Sequence, residues 1–311
     1  MSEAGAGLRD VYITGVGAHL PGPPVGVERM EDHLGRIHGR PSVVGRRALR
    51  WNGIETRHYA LSPDGAVLDT NAGMTAKAVS AALDHAGLGL GDLEHLATAT
   101  TQGDYLVPGH AAAVQAELGG GPMEIASYQS VCASSLMAAK GAWLQVRAGE
   151  AEVAVAAAGE FSSRWFLPGF YEGTSLVDGK GRLATEADFL RFTLSDGAGA
   201  VVMEPRPRAE GLSLKVEWID LTSLAGRFDP CMWAGSTRAD RASMDSAWSH
   251  AGPVAAHAAG AVALLQDFEL LKIVIRAWIG VWLEKVDSGR IVTTAKVTAR
   301  LYALQIEEIA A

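Results

Sequence analysis

The chain has 311 residues, of which 48% are hydrophobic and 20% charged, with 36 glycines and a formal net charge of −8. That profile excludes a disordered chain and argues against a general polyanion binder, so nucleic acid is not an expected partner. Cys132 and Cys231 are too few for a disulfide framework or a zinc pattern, which points to a reducing, cytoplasmic setting.

The opening "MSEAGAGLRDVYITGVG" lacks the basic region and apolar core of a secretory signal. "DVYITGVGAHLPG" reads as a β-branched strand running into a Gly/Pro turn. "TNAGMTAKAVSAALDHAGL" predicts a helix capped by Thr70 or Asn71 and stopped at Gly87. A strand "HLATATT", a helix "PGHAAAVQAELGGG" and a strand "MEIAS" follow. Next comes a helix that begins near Cys132, runs to about Arg147 and ends at Gly149. "EVAVAAAGE" is almost wholly apolar, as expected of a strand buried on both faces. This alternation implies an α/β fold, a mostly parallel sheet with helices on both sides.

Residues 161–190 break the rhythm as an inserted, partly helical excursion rich in aromatic residues and glycine. "RFTLSDGAGAVVMEP" then reads as a turn between two strands, and "LSLKVEWIDLTSL" opens what could be a second cycle. The chain accordingly divides into a first unit over 1–209 and a partial second unit over 210–311. The segment 269–286, "ELLKIVIRAWIGVWLEKV", is interrupted by Lys272 and Arg276. It falls short of the roughly 20 apolar residues of a membrane span, and we read it as a buried amphipathic helix.

Four features invite a chemical reading. Cys132 stands where small and hydroxyl residues turn into a helix. The positive end of a helix stabilises a thiolate, the nucleophilic form of cysteine. A small buried hydrophobe is the other reading of such a cysteine, and position alone leaves both open. Cys231, in "FDPCMWAG", has no such placement and reads as structural. "SDGAGAVV" lacks the third glycine and the following helix of a phosphate cradle, so it reads as a tight turn. His250 and His257 would stand roughly 10 Å apart on a helix, too far to share one ion, and no metal site is expected. Segment 36–58 carries Arg36, Arg40, Arg46, Arg47, Arg50 and Arg57 with Glu55 as its only acid. It is either a solvated loop or an anchor for phosphate groups.

Taken in order, these pieces resemble the condensing enzymes of the thiolase superfamily, specifically the 3-oxoacyl-[acyl-carrier-protein] synthase III group. "YITGVGAHLPG" looks like that family's first strand and turn, and "NGIETRHYA" resembles its segment through Gly53, Ile54, Arg57 and His58. "SVCASSLMAAKGAWLQVRAGEAEVAVAAAGE" is similar to its nucleophile helix and the next strand, and "SDGAGAVV" to the turn closing its first half. The order and spacing of these pieces carry the resemblance over about 10–205.

The resemblance implies a layered αβαβα fold of two similar halves, the first complete here and the second incomplete, usually in a homodimer. It implies that Cys132 is the nucleophile. That residue would take an acyl group from acyl-CoA or an acyl carrier protein, and malonyl-ACP would then lose carbon dioxide and attack the acyl-enzyme. Substrates rather than a permanently bound cofactor would supply the chemistry, in fatty acid or polyketide-type biosynthesis. The entrance for the coenzyme A and pantetheine arm falls on Arg50, Trp51 and Arg57, with tryptophan standing where the family can place an arginine.

Such synthases also use a histidine and an asparagine of the second half. After Cys132 this sequence has only His250 and His257, and after Asn71 it has no asparagine. The sequence therefore reads as truncated at its C-terminus, with acyl loading retained and condensation by this chain alone doubtful. Two alternatives stand beside that reading. One is a non-catalytic or complementing subunit that pairs with another thiolase-fold chain. The other is a simple cysteine-dependent acyltransferase.

Overall fold

A computed structural model describes residues 7–223, except 43, 44, 46, 48, 50–52 and 175, together with the strand Leu283–Lys285. Arg50, Trp51, Cys231, His250 and His257 lie outside the described residues. The strands are β1 Tyr12–His19, β2 Val25–Gly26, β3 Thr56–Arg57, β4 His95–Thr100, β5 Glu124–Gln129, β6 Ala154–Glu160, β7 Gly197–Glu204, β8 Leu214–Val216 and β9 Leu283–Lys285. The α-helices are α1 Met30–Leu34, α2 Asn71–Ala86, α3 His110–Leu118, α4 Ser134–Ala148 and α5 Thr185–Thr193.

Local signals set the helix ends. The Thr70 side chain accepts a hydrogen bond from the Gly73 amide, and Gly87 closes α2 in the left-handed conformation at φ 75°. Gly149, at φ 83°, closes α4 in the same way. Seven strands form one sheet in the order β5-β4-β6-β7-β1-β8-β9. Helices α2 and α3 cover one face through a core that includes Val79, Leu83, Leu96, Val114 and Val155. Helix α4 covers the other face through Ala138, Ala142, Trp143 and Val146, packed on Ala97, Ala99 and Ala156. Strand β6 is sandwiched between these layers, which is why it is apolar along almost its whole length.

Helix α2 lies against β1 at backbone distance. A Cβ on Gly17 would stand 2.3 Å from the Ala78 carbonyl oxygen and 2.4 Å from the Ala82 amide nitrogen. Only glycine admits that approach.

Three expectations are corrected. The sheet is mixed rather than mostly parallel: β4 pairs in parallel with β5 and β6, whereas β6–β7, β7–β1, β1–β8 and β8–β9 are antiparallel. Strand–helix alternation enforces parallel pairing only where a helix crosses over the sheet, as α3 and α4 do. The excursion after β6 returns the chain in the opposite sense. Within it, Arg191–Thr193 are the last turn of α5 rather than a strand before the glycine turn. Finally, Leu283–Lys285, the end of the segment read as a helix over 269–286, is a strand pairing with Leu214–Val216. Strand β8 would otherwise leave its outer backbone groups unpaired. The rest of that segment lies outside the described residues.

The excursion has its own core. Phe166, Tyr171, Ala187 and Phe192 pack with Val25, Met30, Leu34, Ile37, Leu49 and Tyr59, joining 161–194 to 25–59 as a cap on the sheet. Arg191 is 1% exposed inside it. Its Nε donates to the Phe166 carbonyl and its Nη2 to those of Leu34 and Gly35, at 2.8–2.9 Å. Asp188 stands 3.7 Å away, so this buried cation has both acceptors and a counter-charge. No helix of the described residues is long and apolar enough to cross a membrane.

Candidate active site

Parallel pairing of β4, β5 and β6 brings their carboxyl ends to one edge of the sheet. Open α/β sheets bind ligands at such edges. Cys132 lies there, in the turn between β5 and α4. The Ser134 amide donates to the Val131 carbonyl at 2.9 Å and the Met137 amide to the Ala133 carbonyl at 3.2 Å, which closes the turn into the helix. Ala133, the N-cap, has no side-chain oxygen to occupy the first-turn amides. Cys132 is exposed and forms no disulfide. A thiol so placed meets the positive end of the helix dipole and is open to an incoming thioester. It sits just before the helix rather than within its first turn.

Around the same edge lies a polar network that the sequence reading did not single out. Glu160, ending β6, accepts from the Thr101 amide at 2.6 Å. Burial pushes its carboxyl pKa up, against the opposing hydrogen bonds from Thr100 and Thr101. Gln129, ending β5, donates from Nε2 to the Thr101 carbonyl at 3.3 Å. Asn71 donates to Thr100 Oγ1 at 2.9 Å and to the Gln102 carbonyl at 3.1 Å. Asp104 accepts from the Asn71 and Ala72 amides at 3.1 and 2.8 Å, occupying the N-terminus of α2, and pairs with Arg164 Nη1 at 3.0 Å.

Beneath the network, Thr75 donates its hydroxyl proton to the Asn71 carbonyl, so His110 Nε2, 3.3 Å from that hydroxyl, carries the ring proton toward it. Burial, opposed by Asp104 and reinforced by Arg164, pushes the His110 pKa down to about 4. The available signal was a carboxylate closing an apolar strand ("AVAAAGE") and a polar tail ("TTQGD") closing another.

Of the candidate entrance residues, Arg57 alone lies among the described residues. Arg57 is half-buried, and its guanidinium donates to the carbonyls of Phe192, at 3.4 Å, and Thr193. It ties β3 to the end of α5, and burial pushes its pKa down. His58 is a strut as well: its amide donates to Ser195 Oγ at 3.0 Å and its carbonyl accepts from the Asp196 amide at 2.9 Å. Asp196, just before β7, accepts from the Ala60 amide and from the amide and hydroxyl of Ser163, pinning the start of that strand to the cap. Of the motif read as a tight turn, only Ser195 and Asp196 lie outside a strand; Gly197–Val202 belong to β7, because β6 and β1 offer them backbone partners on both sides. Arg36, Arg40 and Arg47 are exposed on the cap. Among the described residues no cluster of three or more His, Cys, Asp or Glu side chains could hold a metal ion.

Comparison with known proteins bears on this arrangement. Residues 43–209 match the family "Beta-ketoacyl synthase, N-terminal domain". The chain is 36% identical over 153 residues to the beta-ketoacyl-[acyl-carrier-protein] synthase III of Cereibacter sphaeroides, covering 49% of this chain and 41% of that protein. It is 30% identical over 192 residues to the Rhodobacter capsulatus protein of the same name, covering 62% and 50%. The chain thus spans about half the length of the curated relatives it matches. Among solved structures, AbyA1, a tetronic acid condensing enzyme, superposes with a TM-score of 0.60 at 23% identity, covering 73% of this chain and 64% of that one. The 3-oxoacyl-(acyl carrier protein) synthase III of Pseudomonas aeruginosa superposes with a TM-score of 0.52 at 22% identity, covering 75% and 62%. These superpositions establish the fold, which is the layered α/β architecture of the thiolase-like enzymes.

Proposed function

The chain belongs to the β-ketoacyl synthase family, and on that premise we propose that Cys132 accepts an acyl group from an acyl-CoA or acyl-carrier-protein thioester. The thiolate attacks the thioester carbonyl, a tetrahedral oxyanion forms, and the coenzyme or carrier thiol leaves as the acyl-enzyme is made. Backbone amides at the helix mouth would stabilise that oxyanion. The observation that carries this reading is the placement of an exposed thiol before an uncapped helix, on the carboxyl edge of three parallel strands.

Condensation would follow the family's course. Malonyl-ACP loses carbon dioxide, its carbanion attacks the acyl-enzyme carbonyl, and the Cys132 thiolate departs from a 3-oxoacyl product, as in fatty acid or polyketide-type biosynthesis. Acyl carrier protein is the proposed partner, and exposed Arg36, Arg40 and Arg47 supply positive charge for its phosphate. Loading needs only the thiol and backbone amides, whereas condensation calls for a histidine and an asparagine. Loading is therefore the step we assign to Cys132.

A second reading, association with a second copy or another thiolase-fold chain, is favoured by one feature. Among the described residues strand β5 ends the sheet, and in the loop after its neighbour β4 Tyr105, Leu106 and Val107 are 63%, 86% and 79% exposed. An open edge beside contiguous exposed apolar side chains marks an interface.

The two steps separate in one assay. With acyl-CoA alone, we expect release of about one equivalent of coenzyme A thiol, abolished in Cys132→Ala and retained in Cys231→Ala. Adding malonyl-ACP tests for a 3-oxoacyl product. No thiol release, while Cys132 still reacts with iodoacetamide, would contradict the reading.

A further inference from the structure

The backbone ladders of the three parallel strands stop just short of the carboxyl edge, and two side chains carry them further. The last paired residues are Ala99 with Ala158 between β4 and β6, and Thr100 with Gln129 between β4 and β5. Thr101 is the residue after these pairs. Its amide donates to Glu160, the last residue of β6, at 2.6 Å. Its carbonyl accepts from Nε2 of Gln129, the last residue of β5, at 3.3 Å. One peptide unit thus bridges the ends of two strands. Gln129 stands three residues before Cys132. Beyond the cysteine, the Ser134 amide donates to the Val131 carbonyl at 2.9 Å and the Ser135 hydroxyl to the Cys132 carbonyl at 3.4 Å. The thiol-bearing turn is therefore held at both ends, by α4 after it and by the Glu160–Thr101–Gln129 bridge before it.

A half-buried carboxylate is a costly acceptor for one amide, since burial opposes its charge and water would serve at an open edge. We infer, given the loading reading above, that Glu160 is a positioning residue for acyl loading: by holding the Thr101 amide it fixes Gln129, and so sets where β5 releases the chain into the Cys132 turn. Attack on a thioester needs the sulfur aligned with the carbonyl while the helix-mouth amides meet the oxyanion, and small misplacements cost large factors in rate. Alkylation by iodoacetamide needs an exposed thiolate and no oxyanion site, so it should not feel the bridge.

The test compares the whole chain with Glu160→Ala, Glu160→Gln and Gln129→Ala by single-turnover release of coenzyme A from an acyl-CoA. Glu160→Ala should load about tenfold or more slowly at saturating acyl-CoA, with the half-saturating concentration and the iodoacetamide rate within about threefold of wild type. Glu160→Gln keeps an oxygen acceptor for the Thr101 amide and should recover most of the rate. Gln129→Ala breaks the bridge at an exposed side chain and stands in if Glu160→Ala fails to fold. Combining the two should slow loading no further than either alone. Loading by the alanine variants at the wild-type rate would overturn the positioning role. So would an equal drop in alkylation, or a Glu160→Gln variant as slow as Glu160→Ala. A wild-type chain that releases no coenzyme A would overturn the loading reading instead. Hydrogen exchange over 129–136 then decides the bridge: it should be faster by about tenfold in Glu160→Ala than in wild type or Glu160→Gln, and equal exchange would overturn it.

Discussion

At the scale of single residues, the site separates groups that meet solvent from groups that hold them. Cys132 is exposed, whereas His110 is 6% exposed and kept neutral by burial. That neutrality has a measurable consequence. The folded chain holds the His110 pKa at about 4, against about 6.5 for an unfolded histidine. Between those values the unfolded state binds a proton that the folded state refuses, so stability falls as pH falls. From pH 7 to pH 5 this one group should cost about 2 kcal/mol. Urea unfolding at the two pH values should show that loss in the wild type and a loss smaller by about that amount in His110→Gln. Equal losses in both would show that His110 is not the group responsible. Little of this was legible in the sequence. A lone histidine after "VPG" gives no sign that Thr75 and Asp104 will surround it, because those contacts are made only when α2, α3 and the loop after β4 converge.

At the scale of elements, the sequence was informative wherever a local rule sufficed. Thr70 and Gly87 bound α2, Gly149 ends α4, and the apolar run at 154–160 is a strand buried on both faces. Strand direction was not legible, since β7 reverses after a long excursion and no residue within β7 records that reversal. The helix-like pattern that ends at 286 was misleading for a related reason: Leu283–Lys285 are strand because β8 offers them backbone partners. Helix α2 approaches β1 at backbone distance. Gly17→Ala would drive a Cβ into the backbone of α2, whereas Gly26, with nothing within 4 Å, has room for one. We expect Gly17→Ala to destabilise the chain by about 3 kcal/mol and Gly26→Ala by less than about 1 kcal/mol. Thermal melting of the pair checks this, and equal midpoints would mean that α2 does not pack on β1 as described.

At the scale of the whole molecule, the ends of β4, β5 and β6, the loop after β4 and Arg164 of the excursion meet at one edge of a mixed sheet. The sequence singled out Cys132, the proposed nucleophile, through its place before a helix and the resemblance around it. It did not indicate the Glu160–Thr101–Gln129 and Asp104–Arg164 connections, which join residues that are remote along the chain and have no shared motif. Arg57 illustrates the reverse case. Its motif drew it toward the coenzyme, and the fold employs its guanidinium to tie β3 to α5.

If this edge of the sheet presents Cys132 to an acyl thioester, the thiol itself must become acylated. The most direct measurement is peptide-resolved mass spectrometry after incubation with an acyl-CoA. We expect one acyl group, removable by hydroxylamine as a thioester must be, on the peptide containing Cys132. An acyl group found only on the Cys231 peptide, or none on Cys132 while it alkylates freely, would contradict it.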